Sequence, residues 1–201
     1  MRHLKPLLLF FLVLLSSFNL QVSKPYLSKW VITKGGALEV AGSTNVNKFT
    51  CVIANYSRPD TLTFSKGNAS EEVKILGAIK LDVQNFDCHH PVMTGDLRKT
   101  LKAKDYPKMI VRFVSLSKYP THSNKSESLT GVVIIELAGV SRRFNVDYEF
   151  TRNNNQTFTL LGTRELKFSD FNIVPPRKIG GMIKTNDELS VEFKLNIQVL
   201  K

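Results

Sequence analysis

The chain has 201 residues, with 28 Lys and Arg against 17 Asp and Glu, 42% hydrophobic content, and only 11 Gly and 8 Pro. That composition excludes collagen-like, low-complexity and fully disordered classes. One domain of this size buries roughly 70% of its unfolded-chain surface, so a core forms without metals or a dense disulfide framework.

In chain order, Arg2 and Lys5 precede the unbroken nine-residue apolar run 7–15, and Ser16, Ser17 and polar residues follow. This is the pattern of a secretory signal peptide, expected over residues 1–22, and the run is far shorter than the roughly 20 residues a spanning helix needs. A single domain over residues 23–201, periplasmic or secreted, is the expected product. Loss of Arg2 and Lys5 takes the formal charge from +11 to +9, which draws the protein toward an anionic membrane surface or charged glycans. Nucleic acid is not expected as a partner, because the cations are dispersed and not interleaved with aromatics. Cys51 and Cys88 are the only cysteines, and in an oxidising compartment they are expected to form a disulfide. His89 and His90 follow Cys88, but adjacent ligands in an extended chain point opposite ways, so no metal site is expected.

The dominant signal is period two. Segments 29–33, 37–41 and 48–55 read as strands, with Gly35-Gly36 as a turn. Val73, Ile75, Ile79, Leu81 and Val83 alternate with polar residues, and Gly77 falls on the apolar parity, where it removes a side chain from the buried face. From 94 to 103 the pattern changes: Leu97 and Leu101 are spaced i, i+4, Thr94 is placed to cap, and Arg98, Lys99 and Lys102 gather at the end, as a short helix prefers. Strands follow at 109–118 and 129–138, with a turn at Gly139-Val140-Ser141. Phe144, Val146, Tyr148 and Phe150 then alternate with polar residues, as do Phe158, Leu160, Leu166 and Phe168. Val191, Phe193, Leu195, Ile197 and Val199 complete the series. Eight to ten short strands with wet outer faces suit an all-β antiparallel barrel or sandwich, and closure removes aggregation-prone edges.

Several motifs occur in a telling order. Ser43-Thr44-Asn45-Val46-Asn47-x-Phe49 comes first, then Met93-x-x-Asp96-Leu97 running into Leu101-Lys102-Ala103 and Tyr106-Pro107. Leu129-Thr130-Gly131 leads through Ile135 to Ala138-Gly139-Val140-Ser141-Arg142, and Phe168-Ser169-Asp170-Phe171-x-Ile173 precedes the terminal strand. Over about residues 38–199 this order resembles the YceI-like family of exported lipid binders. Asn172 stands where that family often has Gly, and Asn tolerates the left-handed conformation.

The resemblance implies an extended, lipocalin-like barrel of about eight strands with one short helix, whose tunnel holds a polyisoprenoid or fatty acyl lipid. No cofactor beyond that ligand and no enzymatic activity are expected, and the protein is expected as a monomer or homodimer. The parities assign the tunnel lining to Ile75, Gly77, Ile79 and Leu81, to Phe144, Val146, Tyr148 and Phe150, and to Phe158, Leu160, Val191, Phe193 and Leu195. The alternative is that the same faces form a solid core and the basic exterior binds anionic envelope polymers. Arg164 sits on the apolar parity between Leu160 and Leu166. It either contacts a lipid headgroup at the barrel mouth, or a bulge at Gly162 turns it outward. Arg142, Asn45 and Asn47 are further headgroup candidates near strand ends, where ordinary turn chemistry also accounts for them. The sequence carries no G-x-S-x-G or H-E-x-x-H motif, and its paired carboxylates are sequence neighbours in turn-like segments.

Overall fold

The computed structural model describes residues 26–56, 58–66, 72–121, 125–154 and 156–200. The expected signal peptide, residues 1–22, lies outside the described residues.

The strands are β1 (Tyr26–Thr44), β2 (Lys48–Tyr56), β3 (Thr61–Lys66), β4 (Val73–Leu76), β5 (Ala78–Asp82), β6 (Lys108–Leu116), β7 (Glu127–Leu137), β8 (Val140–Arg152), β9 (Thr157–Lys167), β10 (Arg177–Lys178) and β11 (Ile183–Leu200). One α-helix, α1 (Pro91–Thr100), lies between β5 and β6. Antiparallel neighbours run β11-β9-β8-β7-β6-β4-β3-β1, and β1 pairs back onto β11, which closes the wall. β4 and β5 both pair with β6 and share one wall position, so the barrel has eight. Alternation then does what the sequence implies. Along β8, for example, Val146, Tyr148 and Phe150 are buried while Asn145, Asp147 and Glu149 are exposed.

Several expectations need correction. Gly35-Gly36 does not reverse the chain: β1 continues through it, and the glycines form a bulge where the register against β11 slips between Thr33 and Ala37. Gly35 adopts φ 90°, and a Cβ there would lie 2.9 Å from the Asn196 amide nitrogen, which itself donates to the Lys34 carbonyl. The helix starts at Pro91, three residues before Thr94, because proline at the first helical position sacrifices no hydrogen bond and its fixed φ suits the helix. The Thr94 hydroxyl accepts the Cys88 amide at 2.9 Å instead of capping the helix. No bulge occurs at Gly162. The β9–β11 register is unbroken from Lys167 to Thr157, and the glycine is required because the Phe193 ring occupies the place of a Cβ. Asn172 is left-handed at φ 54°, ψ 36°, ending a 3₁₀ helix at Phe168–Phe171. Strands β3 and β10 were not apparent from the sequence.

Cys51 and Cys88 are joined, 37 residues apart. Beside the bond, Val52 and Asp87 exchange backbone hydrogen bonds of 2.7 and 2.8 Å. β2 is thereby stapled to the segment that leads into α1.

Candidate functional site

The barrel interior has two halves of different character. At one end aromatic rings fill it. The Trp30 and Phe64 centroids are 4.0 Å apart, Trp30 stacks on Phe150 at 5.3 Å, and Phe150 stacks on Phe158 at 4.8 Å. Tyr119 meets Trp30 edge-on, its hydroxyl accepting from the indole N–H at 3.1 Å and pairing with the Ser28 hydroxyl at 2.8 Å. Buried indole and phenol groups are thus satisfied locally, and this end is closed by packing.

The other half holds a cavity of about 70 Å³. Among the described residues, every side chain bordering it is apolar except Arg164 and Lys167. The strands contribute Leu38 and Val40 from β1, Ile135 from β7 and Val146 from β8; α1 contributes Leu97. The 3₁₀ helix adds Phe168 and Phe171, with Ile173 just beyond. That helix is held by its own polar residues: the Asp170 carboxylate accepts the Lys167 amide at 2.8 Å, and Asp187 accepts the Ser169 amide at 2.9 Å.

The wall is split beside this cavity. β8 pairs with β9 only from Asp147↔Thr163 to Arg152↔Phe158, so residues 140–146 of β8 and 164–167 of β9 have no partner in each other. Phe171 bridges the split, its ring 5.8 Å from that of Phe144. Arg164 stands at this break. It keeps the inward parity, opposite Val191, yet it is exposed, because the neighbouring strand has left. It forms no ion pair among the described residues, whereas Lys167 lies 3.6 Å from Glu188.

The sequence-derived lining divides accordingly. Val146, Val191 and Phe193 border the cavity. Phe150 and Phe158 belong to the aromatic end, and Ile75, Ile79, Leu81, Leu160 and Leu195 are buried core positions that do not border the cavity. Gly77 does not border it either: a Cβ there would lie 2.7 Å from the Thr61 carbonyl and 2.6 Å from Leu62 of β3. Tyr148 is buried with its hydroxyl unpartnered among the described residues, and burial pushes its phenol well above the usual range. Its ring meets Phe193 edge-on at 5.8 Å. Of the polar candidates, Arg142 is exposed and donates to its neighbour's carbonyl, Ser141, at 3.3 Å. Asn45 and Asn47 organise the β1–β2 turn. The Asn45 amide donates to the Met182 carbonyl at 2.9 Å and accepts the Lys184 amide at 2.8 Å, while Asn47 accepts the Thr44 hydroxyl at 2.6 Å. Sequence periodicity missed the contribution of α1 and the 3₁₀ helix; the Phe168–Phe171 motif was the signal available.

A second space, a groove of about 260 Å³, lies beside α1, between the β1–β2 turn and the start of β11. Leu97 and Phe168 border both spaces and form the partition between them.

No family model and no curated protein matches the sequence. Among solved structures, the chain superposes on BcnA from Burkholderia cenocepacia with a TM-score of 0.59 and 16% identity, covering 80% of this chain and 95% of that one. It superposes on a polyisoprenoid-binding domain from Saccharophagus degradans, implicated in plant cell wall breakdown, with a TM-score of 0.60 and 12% identity, covering 85% and 98%. The chain therefore has the fold of these proteins, the closed eight-position antiparallel barrel that its YceI-like motifs imply.

Proposed function

We propose that the protein is a non-catalytic binder of a long apolar lipid, of polyisoprenoid or fatty acyl type, which it carries or stores in the compartment to which its leader exports it. One observation carries this reading: one half of the barrel is filled by rings, and the other encloses a cavity bordered by apolar side chains, with two cations beside the split in its wall. Such a lining rejects polar ligands, since an unpaired polar group buried there costs roughly 1–3 kcal/mol or more. At about 70 Å³ the cavity is smaller than a long lipid, so uptake requires the split between β8 and β9 to widen. The polyisoprenoid named for the S. degradans domain of the same fold supports the ligand class. Arg164 gives a preference for an anionic head over a neutral one of equal chain length.

A filled barrel acting only through its basic exterior is the alternative, and the cavity weighs against it. Titration of the delipidated protein with a fluorescent long-chain fatty acid separates the two. Saturable uptake at one site per chain, displaced by a polyisoprenoid, is expected. Absence of saturable uptake of either lipid would leave the exterior as the functional surface.

A further inference from the structure

The described residues include eight large apolar side chains that are conspicuously exposed. Six of them lie at the cavity end of the barrel: Val46 is 65% exposed, Val92 63%, Tyr106 43%, Val174 79%, Ile179 65% and Met182 72%. Scattered singly, such residues need no explanation, but their concentration on one rim does. Three connections carry them, and specific contacts hold these together. Asn45 in the β1–β2 turn bonds the backbone of Met182 and Lys184, and Lys178 of β10 pairs with Asp96 of α1 at 2.7 Å. Val46 and Val92 both border the outer groove.

The same rim is basic. Neither 40–56 nor 171–186 contains an acidic residue, while Lys48, Arg177, Lys178 and Lys184 fall within them. Among the described residues, Asp96 is the only carboxylate bordering the groove, and Lys178 neutralises it. Apolar tips set among unpaired cations match the boundary of an anionic bilayer, where side chains enter the headgroup layer and cations sit over phosphates. A protein partner of that charge pattern would need an acidic, apolar surface; a bilayer supplies both properties at once.

We infer that this rim docks on anionic membranes, with Val46, Val92, Ile179 and Met182 entering the headgroup boundary and Lys48, Arg177 and Lys184 over lipid phosphates. Docking sets the outer groove against the bilayer, with only Leu97 and Phe168 between it and the cavity. This function for docking rests on the lipid-binder reading, whereas the docking itself does not.

The test is co-sedimentation of the full mature protein with vesicles of phosphatidylglycerol mixed into phosphatidylcholine, against phosphatidylcholine alone. Fatty acid uptake in vesicle-free solution is measured in parallel. Binding to the anionic vesicles that weakens with salt is expected. Ile179→Ser/Met182→Ser and Arg177→Gln/Lys184→Gln should each weaken it, the latter on the order of tenfold or more, with fatty acid uptake unchanged. These side chains are exposed, so the variants should fold. Vesicle binding without fatty acid uptake would support docking while removing the lipid-binder reading. Equal or absent binding to both vesicle types, or insensitivity to both double variants, would overturn docking. So would a concentration-dependent dimer that Ile179→Ser/Met182→Ser dissolves in protein that does not bind vesicles, since the rim would then join two copies of the chain.

Discussion

Val146→Phe gives ligand space and solid core opposite signs. Val146 is 2% exposed and borders the cavity on β8, at a position where β9 has already separated. The larger side chain adds about 50 Å³. If it enters vacant apolar space, filling recovers about 24 cal/mol per Å³, or about 1 kcal/mol in favour of the lipid-free variant. If Val146 sat in a packed core, the same insertion would cost about 1–3 kcal/mol through off-rotamer side chains and backbone shifts. The assay is denaturant unfolding of delipidated wild type and variant, with equal slopes required before midpoints are compared. For a domain of this size the expected gain corresponds to a rise of about 2–4 °C in Tm. Fatty acid affinity should fall in the same variant. A destabilised Val146→Phe that binds lipid as well as wild type would refute the assignment of this space to the ligand.

Arg164→Met removes the unpaired cation at the mouth. Because Arg164 is exposed, the loss for an anionic lipid should be only about 0.5–1 kcal/mol, with a neutral lipid of equal length held as before and stability unchanged; calorimetric titration with both lipids checks this. Tyr148→Phe deletes a buried hydroxyl that has no partner among the described residues, so it should leave stability equal or raise it by about 1 kcal/mol, measured by the same unfolding assay. Replacing Cys51 and Cys88 by Ala should cost about 4 kcal/mol in the chain-entropy account of a 37-residue closure, and the wild-type thiols should resist alkylation in denatured, non-reduced protein.

How much of this was legible in the sequence depends on whether a feature is local. Alternation in β8, β9 and β11 identifies the strands and their buried faces correctly, because the strand period is fixed by covalent geometry. It does not say which part of the interior is filled. Trp30, Phe64 and Tyr119 come from three distant segments, and their rings meet only once β1 has paired with β3 and β3 has been joined to β6 through β4. For that reason Phe150 and Phe158 read as tunnel lining, when closure stacks them into the aromatic end. Arg164 illustrates the complementary failure. Its parity was correct, yet parity predicts burial only where both neighbouring strands are present, and at Arg164 one is missing. The β1–β2 turn and the 3₁₀ helix lay in plain view as motifs, but their roles depend on partners such as Lys184 and Asp187 from the far end of the chain.

Native mass spectrometry of the protein, expressed from its full sequence and purified without detergent, tests the central claim most directly. The account predicts a population carrying one added mass per chain, equal to a long-chain lipid recoverable by organic extraction, and reduced in Val146→Phe. Protein that flies at its bare mass, and that gains none after incubation with a polyisoprenoid or a fatty acid, would contradict it.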